Sequence, residues 1–249
     1  MKLVKDTRPF PFRITGARIA VLGYGADAAH QALGLRDAGN EVSIGTRLGG
    51  TSWARARRDG FPTGSACAVV EAASVIVVLV PDDEQAPVYW HAIEPEVGTG
   101  ALLVTGRALA LATRAFDPRS LDVVFVAGDA RSCRVAVHHD TTGRALERAV
   151  SYARAAFGLD VPIATTTIAA EVDAELAELE TRAGGAAAFR SYVEASTDRM
   201  RYSHAPEEAR LAYYEGLREL VEDRARRSGG DHEPAAAALV DYGPTRGMS

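Results

Sequence analysis

Gly23-Tyr24-Gly25-Ala26-Asp27-Ala28 is the stretch of this 249-residue chain whose residue types and spacing point most directly to chemistry. It follows an apolar run, residues 19–22, and opens an Ala/Leu-rich stretch of helical composition that stops at Gly39-Asn40. A second apolar run, residues 42–44, completes the order strand, glycine turn, helix, strand. Glycines in that context let backbone N–H groups approach a pyrophosphate, and the helix start adds partial positive charge. Ala28 fills the third small-residue slot, which serves only helix–strand packing. The expected dinucleotide contacts at the turn are Gly23, Tyr24, Gly25, Ala26 and Asp27.

The end of the second run selects the dinucleotide. A carboxylate there would hold a ribose 2′-hydroxyl, but this chain carries Thr46-Arg47 with Thr51 and Ser52 close behind. Arg47 lies 24 residues after Gly23, where a guanidinium can form a charge-assisted fork on a 2′-phosphate. The expected cofactor is NADPH, and the competing reading of Arg47 is a solvated loop charge.

Other groups carry a chemical and a plain reading side by side. Glu171, Glu175 and Glu178 share one helix face and read as a solvated acidic face ahead of a metal cluster. His138-His139-Asp140 closes a strand, on the expected ligand edge of the sheet, with His139 a proton donor or a loop-capping partner of Asp140. Tyr202, Tyr213 and Tyr214 fit a phenol acid or, more simply, the core or interface face of an amphipathic helix. Thr105 and Arg107 follow a strand end and line the crevice, where Arg107 binds a substrate carboxylate or is a surface charge.

The elements that position these groups alternate. Residues 75–80 (VIVVLV) form a fully apolar run of strand length, as in a parallel strand covered on both faces, and end at Pro81-Asp82-Asp83-Glu84-Gln85, a helix start. Runs at 101–104, 123–126 and 135–137 supply three more strands, so the fold class is α/β with a Rossmann-like doubly wound sheet. From residue 171 to 224 the periodicity is helical. The expected organisation is a cofactor domain over 1–163, with an irregular arm at 1–17, a smaller all-helical domain over 164–232, and a tail over 233–249.

A net charge of −5 argues against a general nucleic-acid binder, and no apolar stretch approaches the ~20 residues of a membrane span. Cys67 and Cys133 are too few for a disulfide framework or a zinc site, which suits a reducing cytoplasm. Lys2 and Lys5 are the only lysines, so none stands near the crevice for acid–base work.

The segments IAVLGYGADA, GTRLGGTSW, ASVIVVLVPDDEQAPVY, AIEPEVGTGALL, LDVVFVA and HDTTGRALERAVSYARAAFG resemble, in order, the ketol-acid reductoisomerase family. The resemblance implies cofactor contacts at the glycine turn, a 2′-phosphate grip at Arg47 and Ser52, and a loop beside the cofactor at Pro81, Asp82 and Gln85. It also implies two Mg²⁺ ions held by carboxylates of the helical part, which polarise a ketone for isomerisation before hydride transfer. The family's metal-bridging Asp falls on Ala174, its His-Gly pair on Thr105-Gly106 and its Lys near Asp129, while Glu178 is kept. AYYEGLREL resembles the family's metal helix, which would make Glu215 and Glu219 ligands; RMRYS resembles a segment that normally follows that helix, and both matches cannot hold in order. Otherwise Glu215 and Glu219 belong to a solvated face, with Arg218 beside Glu215 at i, i+3.

No metal is therefore expected; were Mg²⁺ bound, Glu178, Glu215 and Glu219 would hold it. The expected function is an NADPH-dependent reductase of a small C=O or C=N substrate without isomerisation, with Thr105, His139 and the three carboxylates as catalytic candidates and Gly106 at the cofactor. The alternatives are a working ketol-acid reductoisomerase with altered ligands and a cofactor-bound, non-catalytic sensor or scaffold. A homodimer through the helical part is expected.

Overall fold

The computed structural model describes Lys2–Leu3, residues 14–201 and residues 208–227. Tyr202, part of the RMRYS segment and the expected tail lie outside the described residues. Among the described residues nine strands, numbered in chain order, form one sheet in the order β1-β9-β8-β7-β6-β5-β2-β3-β4. Its parallel centre is β2 (Arg18–Leu22), β3 (Glu41–Gly45), β5 (Val75–Val78), β6 (Leu102–Thr105) and β7 (Asp122–Gly128), with the two-residue β4 (Thr63–Gly64) at one edge. β5 and β6 are buried at every position, which is why they read as unbroken apolar runs rather than alternating ones.

The other edge departs from a simple doubly wound sheet. β8 (Cys133–His139) returns antiparallel to β7, through a turn in which the Asp129 carboxylate accepts the N–H groups of Arg131 and Ser132. β9 (Ile163–Thr165) lies parallel to β8, and β1 (Lys2–Leu3) pairs antiparallel with β9. Two expectations change here. Part of the N-terminal arm is a strand of the sheet, and the sheet runs to Thr165, so the expected boundary after 163 falls inside β9.

Helices α1 (Ala26–Asp37) and α6 (Ala145–Phe157) cover one face and touch closely. A Cβ at Gly34 would sit 2.2 Å from the Ala156 carbonyl oxygen, and the Tyr152 hydroxyl donates to Gln31 at 2.6 Å. The opposite face carries α3 (Ala66–Val70), α4 (Asp82–Val88), a π-helical turn (Tyr89–Ile93) and α5 (Leu109–Ala112). The helical segment, α7 (Ile168–Arg182), α8 (Ala186–Arg201) and α9 (Glu208–Arg227), packs over that layer. Leu176, Phe189, Val193, Tyr213 and Leu217 share one apolar cluster with Ile76, Leu103 and Phe125 of the sheet. Each such side chain contributes about 2 kcal/mol by burial, so the helices form a layer on the sheet's own core. α9 comes so close to α5 that a Cβ at Gly216 would lie 2.3 Å from the Thr113 carbonyl oxygen.

At the start of β7, fully buried Asp122 accepts the N–H groups of Thr141 and Thr142, both at 2.9 Å, the Thr142 hydroxyl at 2.6 Å and Arg148 Nη1 at 2.7 Å. Burial opposes ionisation, but the bonds from Thr142 and Arg148 outweigh it and hold this carboxyl below its ordinary range. A lowered folded-state pKa contributes stability that is present above the unfolded value and lost as pH falls through the folded one. Asp122→Ala is expected to cost about 3 kcal/mol at neutral pH by removing the carboxylate that balances the largely buried Arg148 charge. Urea unfolding of both proteins should show the gap narrowing below about pH 4; a gap that does not change with pH contradicts the assignment.

Candidate functional site

The C-terminal edge of the parallel strands presents three loops. In the first, Gly23 adopts φ +91°, donates its N–H to the Gly45 carbonyl at 2.9 Å, and would place a Cβ 2.8 Å from the Leu79 carbonyl oxygen. Only glycine fits there, because both the positive φ and the close approach exclude a side chain. Tyr24 turns inward: its hydroxyl donates to Asp59 at 2.9 Å, its ring meets Phe61 edge-on, and Arg55 lies over the ring and bonds the Tyr24 carbonyl. Burial and the Asp59 carboxylate push its phenol pKa up to about 12. The Tyr24 side chain is thus an anchor of the turn, and any cofactor contact at this position falls to its backbone. Gly25 is the N-cap of α1 without a side-chain cap, and a Cβ there would meet nothing, so space and the helix's first N–H groups face outward together. Ala26 and Asp27 are exposed on that first turn.

The second loop follows β3. Arg47 is 90% exposed, Ser52 is half-buried in the first turn of α2 (Thr51–Arg58), and the buried Thr46 Oγ1 has no hydrogen-bond partner among the described residues. An exposed guanidinium, an orphaned hydroxyl and an uncapped helix start at Gly50 form a donor set suited to a phosphate. These two loops fit a phosphorylated dinucleotide.

The third part of the edge, at the ends of β5 and β6, is held by charge. Pro81 caps α4, and Asp82 takes Arg107 Nε at 3.2 Å and Nη2 at 3.1 Å. Glu175 reaches in from α7, accepting the N–H groups of Ala108 and Leu109 at 2.8 and 3.1 Å, with Arg107 Nε 3.8 Å away. The fully buried Thr105 hydroxyl donates to Gln85 Oε1 at 3.1 Å, and Gly106 passes beneath Leu79. Burial raises the pKa of Asp82 and of Glu175, and Arg107 pulls both back. The expectation of a solvated acidic face on α7 is corrected: Glu171 is buried against Arg134 at 3.0 Å, Glu175 serves the crevice, and only Glu178 is exposed.

Of the remaining candidates, Glu178 lies near enough to this edge for its charge to act on Asp82 and Arg107, and the others do not join the cluster. His139 ends β8 and Asp140 follows it, and because β8 runs against β7 they stand at the opposite edge; there His139 Nε2 lies 3.0 Å from the Arg119 carbonyl oxygen and Asp140 accepts Ala145 N–H at 3.0 Å. Their expected place beside the ligand, and their pairing, are thereby corrected by the direction of the strand. Glu178 pairs with Arg182 and Glu215 with Arg201, the latter at 2.7 Å; Arg218 faces Glu222 instead of Glu215. Among the described residues no three His, Cys, Asp or Glu side chains come together as a metal would require. The residues present do not fit a pair of Mg²⁺ ions. Tyr213 is core, and the Tyr214 hydroxyl reaches Asp83 at 3.5 Å. Two clefts, of 480 Å³ beside His138 and Thr166 and of 610 Å³ beside Trp90 and Ala212, lie apart from the glycine turn and Arg47.

Residues 13–160, more than half of the chain, match the NADPH-binding domain of acetohydroxy acid isomeroreductase. The chain belongs to the ketol-acid reductoisomerase family. It is 34% identical to the ketol-acid reductoisomerase (NADP(+)) of Xanthomonas euvesicatoria in a match covering 83% of this chain and 65% of that protein. Among solved structures, an NADH-preferring ketol-acid reductoisomerase from an uncultured archaeon aligns with TM-score 0.60 at 24% identity, covering 86% of this chain and 70% of the other. A 3-hydroxyisobutyrate dehydrogenase of Mycobacterium tuberculosis aligns with TM-score 0.54 at 16% identity, covering 87% and 89%, and shows the shared fold alone. Within the family's frame, exposed Ala174 stands where the metal-bridging Asp is expected, Thr105-Gly106 where the His-Gly pair is expected, and Asp129 serves a turn.

Sequence reasoning missed Glu175 as a crevice residue, because its partners lie 66 and 67 positions away and no local pattern marks them. Gly23→Ala is expected to cost roughly 1–3 kcal/mol from the strained backbone alone, and to displace the turn enough to abolish dinucleotide binding. Thermal melting with and without NADPH reads both; a variant that binds as tightly as the parent contradicts the role of this turn.

Proposed function

We propose that this chain binds NADPH and reduces a small C=O or C=N substrate without Mg²⁺-dependent isomerisation. Gly23 and Gly25 with the start of α1 would hold the pyrophosphate, and Arg47, Ser52 and Thr46 the 2′-phosphate. The bound cofactor supplies the hydride; the protein supplies orientation and exclusion of water. The observation that carries the reading is the Asp82–Arg107–Glu175 cluster. It fixes a guanidinium at the end of β6, where its Nη1 makes no hydrogen bond among the described residues and is available to a carbonyl oxygen or carboxylate. Arg107 retains its charge at all working pH values, and its burial-opposed but carboxylate-supported pKa is raised. Of the carboxylates that could have replaced the family's metal ligands, Glu178 and Glu215 are paired with separate arginines, and Glu219 stands exposed on α9.

Two unpaired cysteines, Cys67 exposed and Cys133 buried, suit a cytoplasmic setting, and no described helix is long and apolar enough to cross a membrane. A homodimer through the helical segment remains part of the proposal; Tyr213 belongs to the core, and Tyr214 is partly buried.

NADPH oxidation assayed with acetolactate, small ketones and cyclic imines, in EDTA and in Mg²⁺, tests the proposal. The expected result is turnover of a ketone or imine that EDTA leaves unchanged, reduced roughly tenfold or more in kcat/KM by Arg107→Met, the loss of a charged hydrogen-bond donor. Mg²⁺-dependent consumption of acetolactate would contradict it. Silence with every substrate while NADPH binds would also sink the reductase and leave a cofactor-bound scaffold.

A further inference from the structure

Pro87 sits inside α4, where it removes the N–H that would have bonded the Asp83 carbonyl one turn earlier. That carbonyl is instead reached by Arg210 Nε of α9 at 3.4 Å, and the Asp83 carboxylate lies 3.7 Å from the same nitrogen. The other end of the guanidinium, Nη2, contacts Glu84 Oε1 at 2.8 Å. That same oxygen is 3.4 Å from Arg47 Nη2. One carboxylate oxygen is therefore shared between the exposed arginine of the β3 loop and a largely buried arginine of the helical layer, which is 21% exposed.

We infer that Glu84, held by Arg210, determines how strongly this chain prefers a 2′-phosphorylated adenosine over an unphosphorylated one. The inference rests on the NADPH reading of the Arg47 loop. Without a 2′-phosphate, Arg47 rests on Glu84, so an arriving phosphate has to draw the guanidinium off a carboxylate. Glu84 then stands beside a second anion, and the repulsion is offset only by Arg210, which the Pro87-freed carbonyl keeps in place. Arg210 touches no nucleotide in this scheme; it is a positioning residue that acts through Glu84. An unphosphorylated ribose leaves the Arg47–Glu84 pair intact and is indifferent to both. The preference is thus written partly in α9, outside the dinucleotide turn itself.

The test is the dissociation constant of adenosine 2′,5′-bisphosphate and of 5′-AMP, by calorimetric titration of the full chain and its variants. Glu84→Gln should tighten the bisphosphate, and Arg210→Met should weaken it, each by roughly two- to fivefold, the scale of a partly exposed ion pair. 5′-AMP should be unchanged in both, the double variant should match Glu84→Gln because Arg210 acts only through Glu84, and Arg210→Lys should keep the parent's ratio. The differences should shrink between about 0.05 and about 0.5 M salt. A bisphosphate-to-AMP ratio that neither single variant moves, or a weakening by Glu84→Gln, overturns the inference. Arg47→Ala separates the two levels. If it abolishes the preference while Glu84 and Arg210 do not matter, only this inference falls. If the parent shows no preference and Arg47→Ala changes neither constant, the NADPH reading falls and takes this one with it.

Discussion

Glu175 is the side chain through which the helical layer and the sheet edge become one structure. Its two oxygens accept the first N–H groups of α5, which no other side chain caps, and they lie beside Arg107, which Asp82 holds from the other side. A carboxylate so deeply placed is tolerable only because each oxygen has a donor; without them burial would drive it neutral. The pair adds little net stability over an apolar equivalent, but it fixes α7 in one register over the crevice, since any shift of the helix would strand a charge. The close approach of Gly216 to Thr113 does the same for α9 by shape.

This arrangement also separates the two halves of the family's chemistry. A glycine turn, an uncapped helix start and an exposed arginine form a phosphate grip at the ends of β2 and β3 and the start of α1. Isomerisation needs several hard oxygen ligands brought to one point, whereas on the α7 face Glu171 pairs with Arg134, Glu175 accepts N–H groups at the start of α5, and Glu178 pairs with Arg182. A fixed guanidinium stands in the crevice, with carboxylates committed to holding it. On the proposed reading such a group orients an oxygen by hydrogen bonding for reduction and lacks the charge density that drives an alkyl shift.

Much of this was legible in the residues. Parallel strands covered on both faces are nearly continuous in apolar residues, so β2, β5 and β6 stand out as runs, and the glycine turn between β2 and α1 carries its own explanation in the φ of Gly23. What stayed hidden has physical reasons. β4 and β9 are two and three residues long, too short for any periodicity to show. Apolar patterning marks β8 as a strand but says nothing of its direction, and direction alone moved His139 to the far edge. Acidic residues at helical spacing look solvated because the arginine and backbone donors that bury them lie 37 to 67 positions away in the chain. Tyr24 sits in a nucleotide motif, yet its ring is spent on Asp59 and Phe61.

The claim on which the functional account rests is that a guanidinium, rather than divalent metal, occupies the reacting end of the crevice. It is tested most directly by titrating the NADPH-saturated protein with Mn²⁺ and following free ion by electron paramagnetic resonance. The account predicts a response no different from that of protein-free buffer through the micromolar range. A stoichiometric, micromolar Mn²⁺ site that depends on Glu178 or Glu215 would contradict it.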